Sequence, residues 1–130
     1  MLVYGGIGVS GQLNASTVGV ADLTQLVSSY LVTTTTTNDQ ILHSYDSNVY
    51  RTAKYTIQVI SGFEVNAIEI LLTTDGIDIF MTEYAQVLGP GNIALSTYDA
   101  QLSLAGNVEL LVTPSNASTV YTCSGMLIRG

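Results

Sequence analysis

The sequence predicts an all-β fold: an antiparallel β-sandwich of about seven or eight short strands, in jelly-roll or immunoglobulin-like order, with an extended N-terminal arm. Three observations predict it. The hydrophobic fraction is 47% with only 10% of residues charged, and the difference is made up by Thr, Ser, Gly, Asn and Gln, a surface suited to pleated strands. Apolar residues alternate with period two over long stretches, and turn signals recur about every ten residues.

Residues 1–29 read as the arm and residues 30–130 as the sandwich domain. The arm is rich in Gly, Ser, Ala and Val, and Asp22 is its only ionisable side chain. It is too polar for a core of its own and too apolar for a charged disordered tail, so it is expected to order against a partner. Leu23, Leu26 and Val27 stand at helical spacing and raise a short, weakly capped helix over Asp22–Tyr30.

The threonine run Thr33–Thr37 favours extended backbone through β-branching and reads as a first edge strand or the lead into one. Gln40–Tyr45 follows as a strand, and Asp46-Ser47-Asn48 is a turn whose side chains can bond their own backbone. In residues 50–61, Ala53, Tyr55, Ile57 and Val59 fall on one face and Thr52, Lys54, Thr56 and Gln58 on the other. After Ser61-Gly62, Val65–Thr73 points Ile68, Ile70 and Leu72 inward, and Asp75-Gly76 supplies a tight hairpin turn. The return strand, Ile77–Tyr84, is apolar on both faces and is therefore expected to be central. Leu88–Asn92 is a loop, because two glycines flank a proline that has no amide donor. Strands are expected at Ile93–Tyr98, Leu102–Leu104, Val108–Thr113 and Thr119–Ile128, separated by Gly106-Asn107 and Pro114-Ser115-Asn116.

The series Tyr50-Arg51-Thr52-Ala53-Lys54-Tyr55, Glu69-Ile70-Leu71, Thr74-Asp75-Gly76, Met81-Thr82-Glu83-Tyr84 and Gly106 to Pro114 resembles a module of virion structural proteins of tailed phages, above all those of cyanobacteria. The resemblance covers residues 33–128 and leaves the first 29 unmatched. It implies a particle component and brings no catalytic residues with it.

Charge narrows the partners. Ten acidic residues against three basic ones give a net charge of −7, which repels phosphate backbones and anionic membranes. No run approaches the roughly 18 apolar residues of a membrane-spanning helix. The start of the chain lacks the positive segment of a signal peptide, so synthesis in a host cytoplasm and residence in the virion are expected. The sequons at Asn14 and Asn116 then carry little weight. Cys123 is the one cysteine and sits in a strand pattern, as a buried inert thiol would.

No catalytic, cofactor or metal site is expected. His43-Ser44 with Asp46 lacks the elbow and oxyanion turn of a nucleophilic site, so His43 is expected to be a surface or interface histidine. Glu69 and Glu83 could form a carboxylate pair only if they faced one another. Arg51 and Lys54 are expected to be their structural ion-pair partners. Asp75 and Asp78 offer oxygens to calcium, but a plain turn explains them. Interface residues are expected at Met1, Leu2, Val3, Tyr4, Leu23, Leu26, Tyr45, Tyr50 and Tyr84, the tyrosines at strand ends or edges.

Function follows as a non-enzymatic virion protein, capsid decoration or cement foremost. Its arm would contact neighbouring subunits, and its partners would be other virion proteins and further copies of itself, a homotrimer being a common arrangement for such a part. The alternative is a tail or fibre component that binds host glycans through its tyrosines, a reading weakened by the absence of Trp.

Overall fold

The computed structural model describes residues 4–130, which form nine strands in two antiparallel sheets. The strands are β1 (Thr17–Val20), β2 (Thr24–Thr33), β3 (Gln40–Asp46), β4 (Tyr50–Ser61), β5 (Glu64–Thr74), β6 (Ile79–Leu88), β7 (Ser96–Leu102), β8 (Asn107–Pro114) and β9 (Thr119–Arg129). The larger sheet has the order β1-β2-β9-β4-β5-β6 and the smaller β3-β8-β7. This is the sandwich that the alternation predicts. Its strand order is mixed: β2 pairs with the last strand and β3 with the next to last, as in a jelly-roll wrap, whereas β4, β5 and β6 follow one another as a meander.

The core lies between the sheets. Tyr55, Ile57 and Val59 of β4, Ile68, Ile70 and Leu72 of β5, and Tyr121, Cys123 and Leu127 of β9 meet Leu42 and Tyr45 of β3 and Val108, Leu110 and Val112 of β8. Each large apolar side chain buried there contributes about 1.5–3 kcal/mol. Gly125 makes room for one of them, since a Cβ at that position would stand 2.8 Å from the Tyr55 ring.

Several elements differ from the sequence reading. No helix forms at Asp22–Tyr30. Residues 24–33 are strand β2, paired over ten residues with β9, so part of the segment read as an arm lies in the sheet. The β1–β2 turn puts both Ala21 and Asp22 at positive φ, with Leu23 N–H donating to the Val20 carbonyl at 3.1 Å. That backbone is usually signalled by Asn-Gly, which this turn lacks. Of the threonine run, Thr33 closes β2 and the rest connects it to β3.

The Asp75-Gly76 hairpin is present, with Gly76 at a φ of 99°. Its loop is longer than expected, because Asp75 Oδ1 accepts from the amides of Ile77 and Asp78, both at 2.8 Å, and Thr74 Oγ1 donates to the Asp78 carbonyl at 2.7 Å. The return strand therefore begins at Ile79, and it is an edge strand, not a central one. Its apolar residues on two faces reflect an outward face that is itself apolar. The stretches read as two strands, Ile93–Tyr98 and Leu102–Leu104, are one, β7. Ile93 to Leu95 are instead tied down by the buried Asn66, whose side-chain amide donates to the Ile93 carbonyl at 3.0 Å and accepts from Leu95 N–H at 2.8 Å.

Candidate interaction surface

The two faces of the larger sheet have different neighbours. One packs on the smaller sheet; the other is open. The register aligns its outward positions in rows that run across the strands. One row is Val18, Leu26, Met126, Lys54, Leu71 and Thr82. Another, at the opposite end, is Val32, Val120, Ile60 and Val65. Between them lie Ser28, Ser124, Thr56 and Glu69, then Tyr30, Thr122, Gln58 and Ala67.

Only Lys54 and Glu69 carry charge among these aligned outward positions. Val32, Val65, Leu71, Phe80 and Val87 are all at least 40% exposed on this face. Near one corner, Thr52, Leu71, Leu72, Thr73, Phe80 and Thr82 line an open hollow of about 370 Å³. A face about five strands wide and ten residues long has an area on the order of 800 Å², which is what one partner contributes to a standard protein interface.

The structure places the expected site residues as follows. Met1, Leu2 and Val3 lie outside the described residues. Tyr4 is almost wholly exposed, Leu23 projects from the β1–β2 turn, and Leu26 belongs to the open face. Tyr45 lies in the core instead of on the surface, and it stacks edge-on with half-buried Tyr50, ring centroids 6.5 Å apart. Tyr84 is exposed in a bulge where Glu69 pairs with Ala85 and Ile70 with Glu83.

That bulge also separates the carboxylates. Glu69 points outward with Leu71 and Thr73, whereas Glu83 sits opposite the inward Ile70. They stand on opposite faces of the sheet, which rules out a shared sugar site. Partial burial raises the Glu83 pKa. Lys54 and Arg51 also lie in different surroundings. Lys54 is on the open face, diagonal to Glu69. Arg51 lays its guanidinium over Gly76, within 2.8 Å of where a Cβ would stand. The Asp75 pKa is lowered chiefly by the amides of Asp78 and Ile77, with a smaller contribution from Arg51.

His43 and Ser44 alternate across β3, so they face opposite ways. His43 Nδ1 is 2.8 Å from the Tyr55 hydroxyl, its ring edge-on to Tyr55, and burial lowers its pKa. Sequence reasoning read it as a surface or interface histidine. The available signal was its partner Tyr55, central in a clean alternating strand and in need of a hydroxyl contact once buried. Burial likewise raises the Tyr55 pKa, and it pushes the Cys123 thiol up to about 12, so that thiol is buried and protonated. No group of three or more metal-ligating side chains occurs among the described residues.

Fold and surface together define an all-β sandwich module with one covered and one open sheet face. No protein-family model and no curated protein matches the sequence. Among solved structures, the fold is similar to that of the tailspike protein of Acinetobacter phage vB_ApiP_P1, with a TM-score of 0.53 and 7% identity. The match covers 100% of this chain and 25% of that one, so this chain spans about a quarter of the tailspike's length. At that identity the likeness is one of fold.

Proposed function

We propose that this protein is a non-enzymatic structural component of a tailed-phage particle, a module that works by being packed against other virion proteins. The observation that carries the reading is the open, charge-poor face of the six-stranded sheet, where two rows rich in exposed apolar side chains flank hydroxyl and amide side chains, the mixed character of a protein interface. The N-terminal arm contacts neighbouring subunits. Position within the particle is weighed by the fold likeness, which favours a tail appendage over capsid decoration. The inward Tyr45 and Tyr50 weigh against a tyrosine platform for glycans. The separated Glu69 and Glu83, and the opposed His43 and Ser44, support a role without catalysis.

The test is co-sedimentation of the full chain with phage particles stripped of it, and separately with isolated tails. Leu71→Lys and Val65→Lys, which charge the open face, are expected to abolish binding while circular dichroism stays that of the parent. Undiminished binding by both variants would overturn the reading. Binding to tails but not to shells would put the module in the tail; the reverse would restore capsid decoration.

A further inference from the structure

The two edges of the larger sheet differ. β1 offers four residues, but β6 offers ten, Ile79–Leu88, paired among the described residues with β5 alone. A free edge of that length presents a row of backbone N–H and C=O groups to any extended chain, and proteins usually protect such an edge with Lys, Pro or short length. β6 has no Lys and no Pro; its defences are Glu83 and the bulge at Tyr84. On its inner side Ile79 and Met81 are only partly covered, because the smaller sheet ends at β7.

The same chain carries a segment with the complementary pattern. In Ile7-Gly8-Val9-Ser10-Gly11-Gln12-Leu13 the apolar residues fall at alternate positions, interrupted only by Gly11, with no proline and no charge. Ile7, Val9 and Leu13 are all more than half exposed, and none of these residues belongs to a strand. Seven extended residues span about 23 Å, which fits within a ten-residue edge of about 33 Å.

Reach decides whose edge the segment can serve. Leu13 is four residues from Thr17, the first residue of β1, a tether of at most about 14 Å. The β6 edge of the same sheet is five strand spacings away, about 24 Å. The segment cannot lie along its own β6.

We propose that residues 7–13 of one copy add as a seventh strand to the β6 edge of a second copy, with Ile7 and Val9 covering Ile79 and Met81. The contact is head-to-tail, since donor and acceptor are different surfaces, and it closes into a ring or continues as a chain. The inference rests on the proposed role only in placing the arm on a neighbouring subunit; it adds the acceptor and the pairing.

The experiment uses the full chain, with sedimentation velocity over a concentration series and hydrogen exchange of the β6 amides. The expected result is self-association accompanied by slowed exchange along Ile79–Leu88. Val9→Pro removes a ladder donor outside every strand of the fold and is expected to weaken association about tenfold. A mixture of Gly8→Cys and Phe80→Cys copies is expected to form mixed disulfides, since position 8 falls opposite position 80 whichever way the added strand runs. Three results would overturn the proposal: a monomer at all concentrations, protection on β1 or the open face with β6 unchanged, or association indifferent to Val9→Pro. If β6 stays unprotected while the wild type still co-sediments with particles and Leu71→Lys does not, the strand addition falls and the packing role stands.

Discussion

The inner and outer faces of the six-stranded sheet are built from the same strands and both carry large apolar side chains, yet they meet different surroundings. Inward, Tyr55, Ile57, Ile70 and Tyr121 are excluded from water, and both tyrosine hydroxyls among them are partnered. That of Tyr55 meets His43, and that of Tyr121 donates to Ser96 Oγ at 2.8 Å. Outward, Val32, Ile60, Val65 and Leu71 repeat the period-two pattern and are left exposed by the described residues. Alternation therefore identifies a strand and its faces, but which face is covered within one chain depends on where the smaller sheet lies. Apolar character on an uncovered face is information about a partner.

The comparison breaks most sharply at Gly125 and its neighbour Tyr55. Gly125→Val drives a side chain into Tyr55 and Val27, and Tyr55→Ala empties a fully buried site. Each should cost about 3–5 kcal/mol, read as a lower urea midpoint. Asn66→Ala should cost about 1–3 kcal/mol, because the Leu95 amide it satisfies is left buried without a partner. Proteolysis between β6 and β7 should rise with it.

pH sharpens the contrast at smaller scale. The His43 pKa is lowered by burial, so the unfolded chain binds the proton more readily than the folded one. Its contribution to stability is complete above the unfolded value near 6.5 and is lost as pH falls toward the folded value. Denaturation midpoints at about pH 7.5 and about pH 6 should show that loss, and His43→Gln should remove the slope. Glu83 acts in the opposite sense. Its raised pKa contributes stability that is present below its ordinary 4.5 and lost as pH rises through the folded value, so Glu83→Gln is the control for the lower range. The smallest effect on stability belongs to the outer face. Leu71→Thr should change folding by no more than about 0.5 kcal/mol while weakening particle binding.

Much of the sandwich was legible in the sequence. Residues 50–61 and 64–74 alternate cleanly and end at turns with strong signals, Ser61-Gly62 and Asp75-Gly76. Two features were not. The β1–β2 hairpin turns on Ala21 and Asp22 at positive φ, a conformation these residues do not advertise, and so β2 read as a helix or arm. Replacing the pair by Asn-Gly should stabilise the hairpin by up to about 1 kcal/mol, detectable as slower exchange in β1. The open face was hidden for a different reason: alternation already sets Leu71 and Val65 on the side away from Ile70 and Leu72, but only the arrangement of the two sheets shows that this side is left uncovered. Of the expected contact residues, Leu26 falls on that face and Tyr45 inside, a difference set by strand pairing rather than by residue type.

The pairing of β2 with β9 has a mechanical consequence. Thr24 lies opposite Ile128, and Arg129 N–H donates to the Leu23 carbonyl at 2.8 Å, so the chain enters β2 and leaves β9 at the same end of the sheet, side by side. Tension applied between Thr24 and Arg129 would load their ladder one rung at a time, as a zip, instead of all ten rungs together in shear. A module strung into a longer chain by these two points would yield at low force, whereas one gripped across its open face would share the load over most strands of the larger sheet.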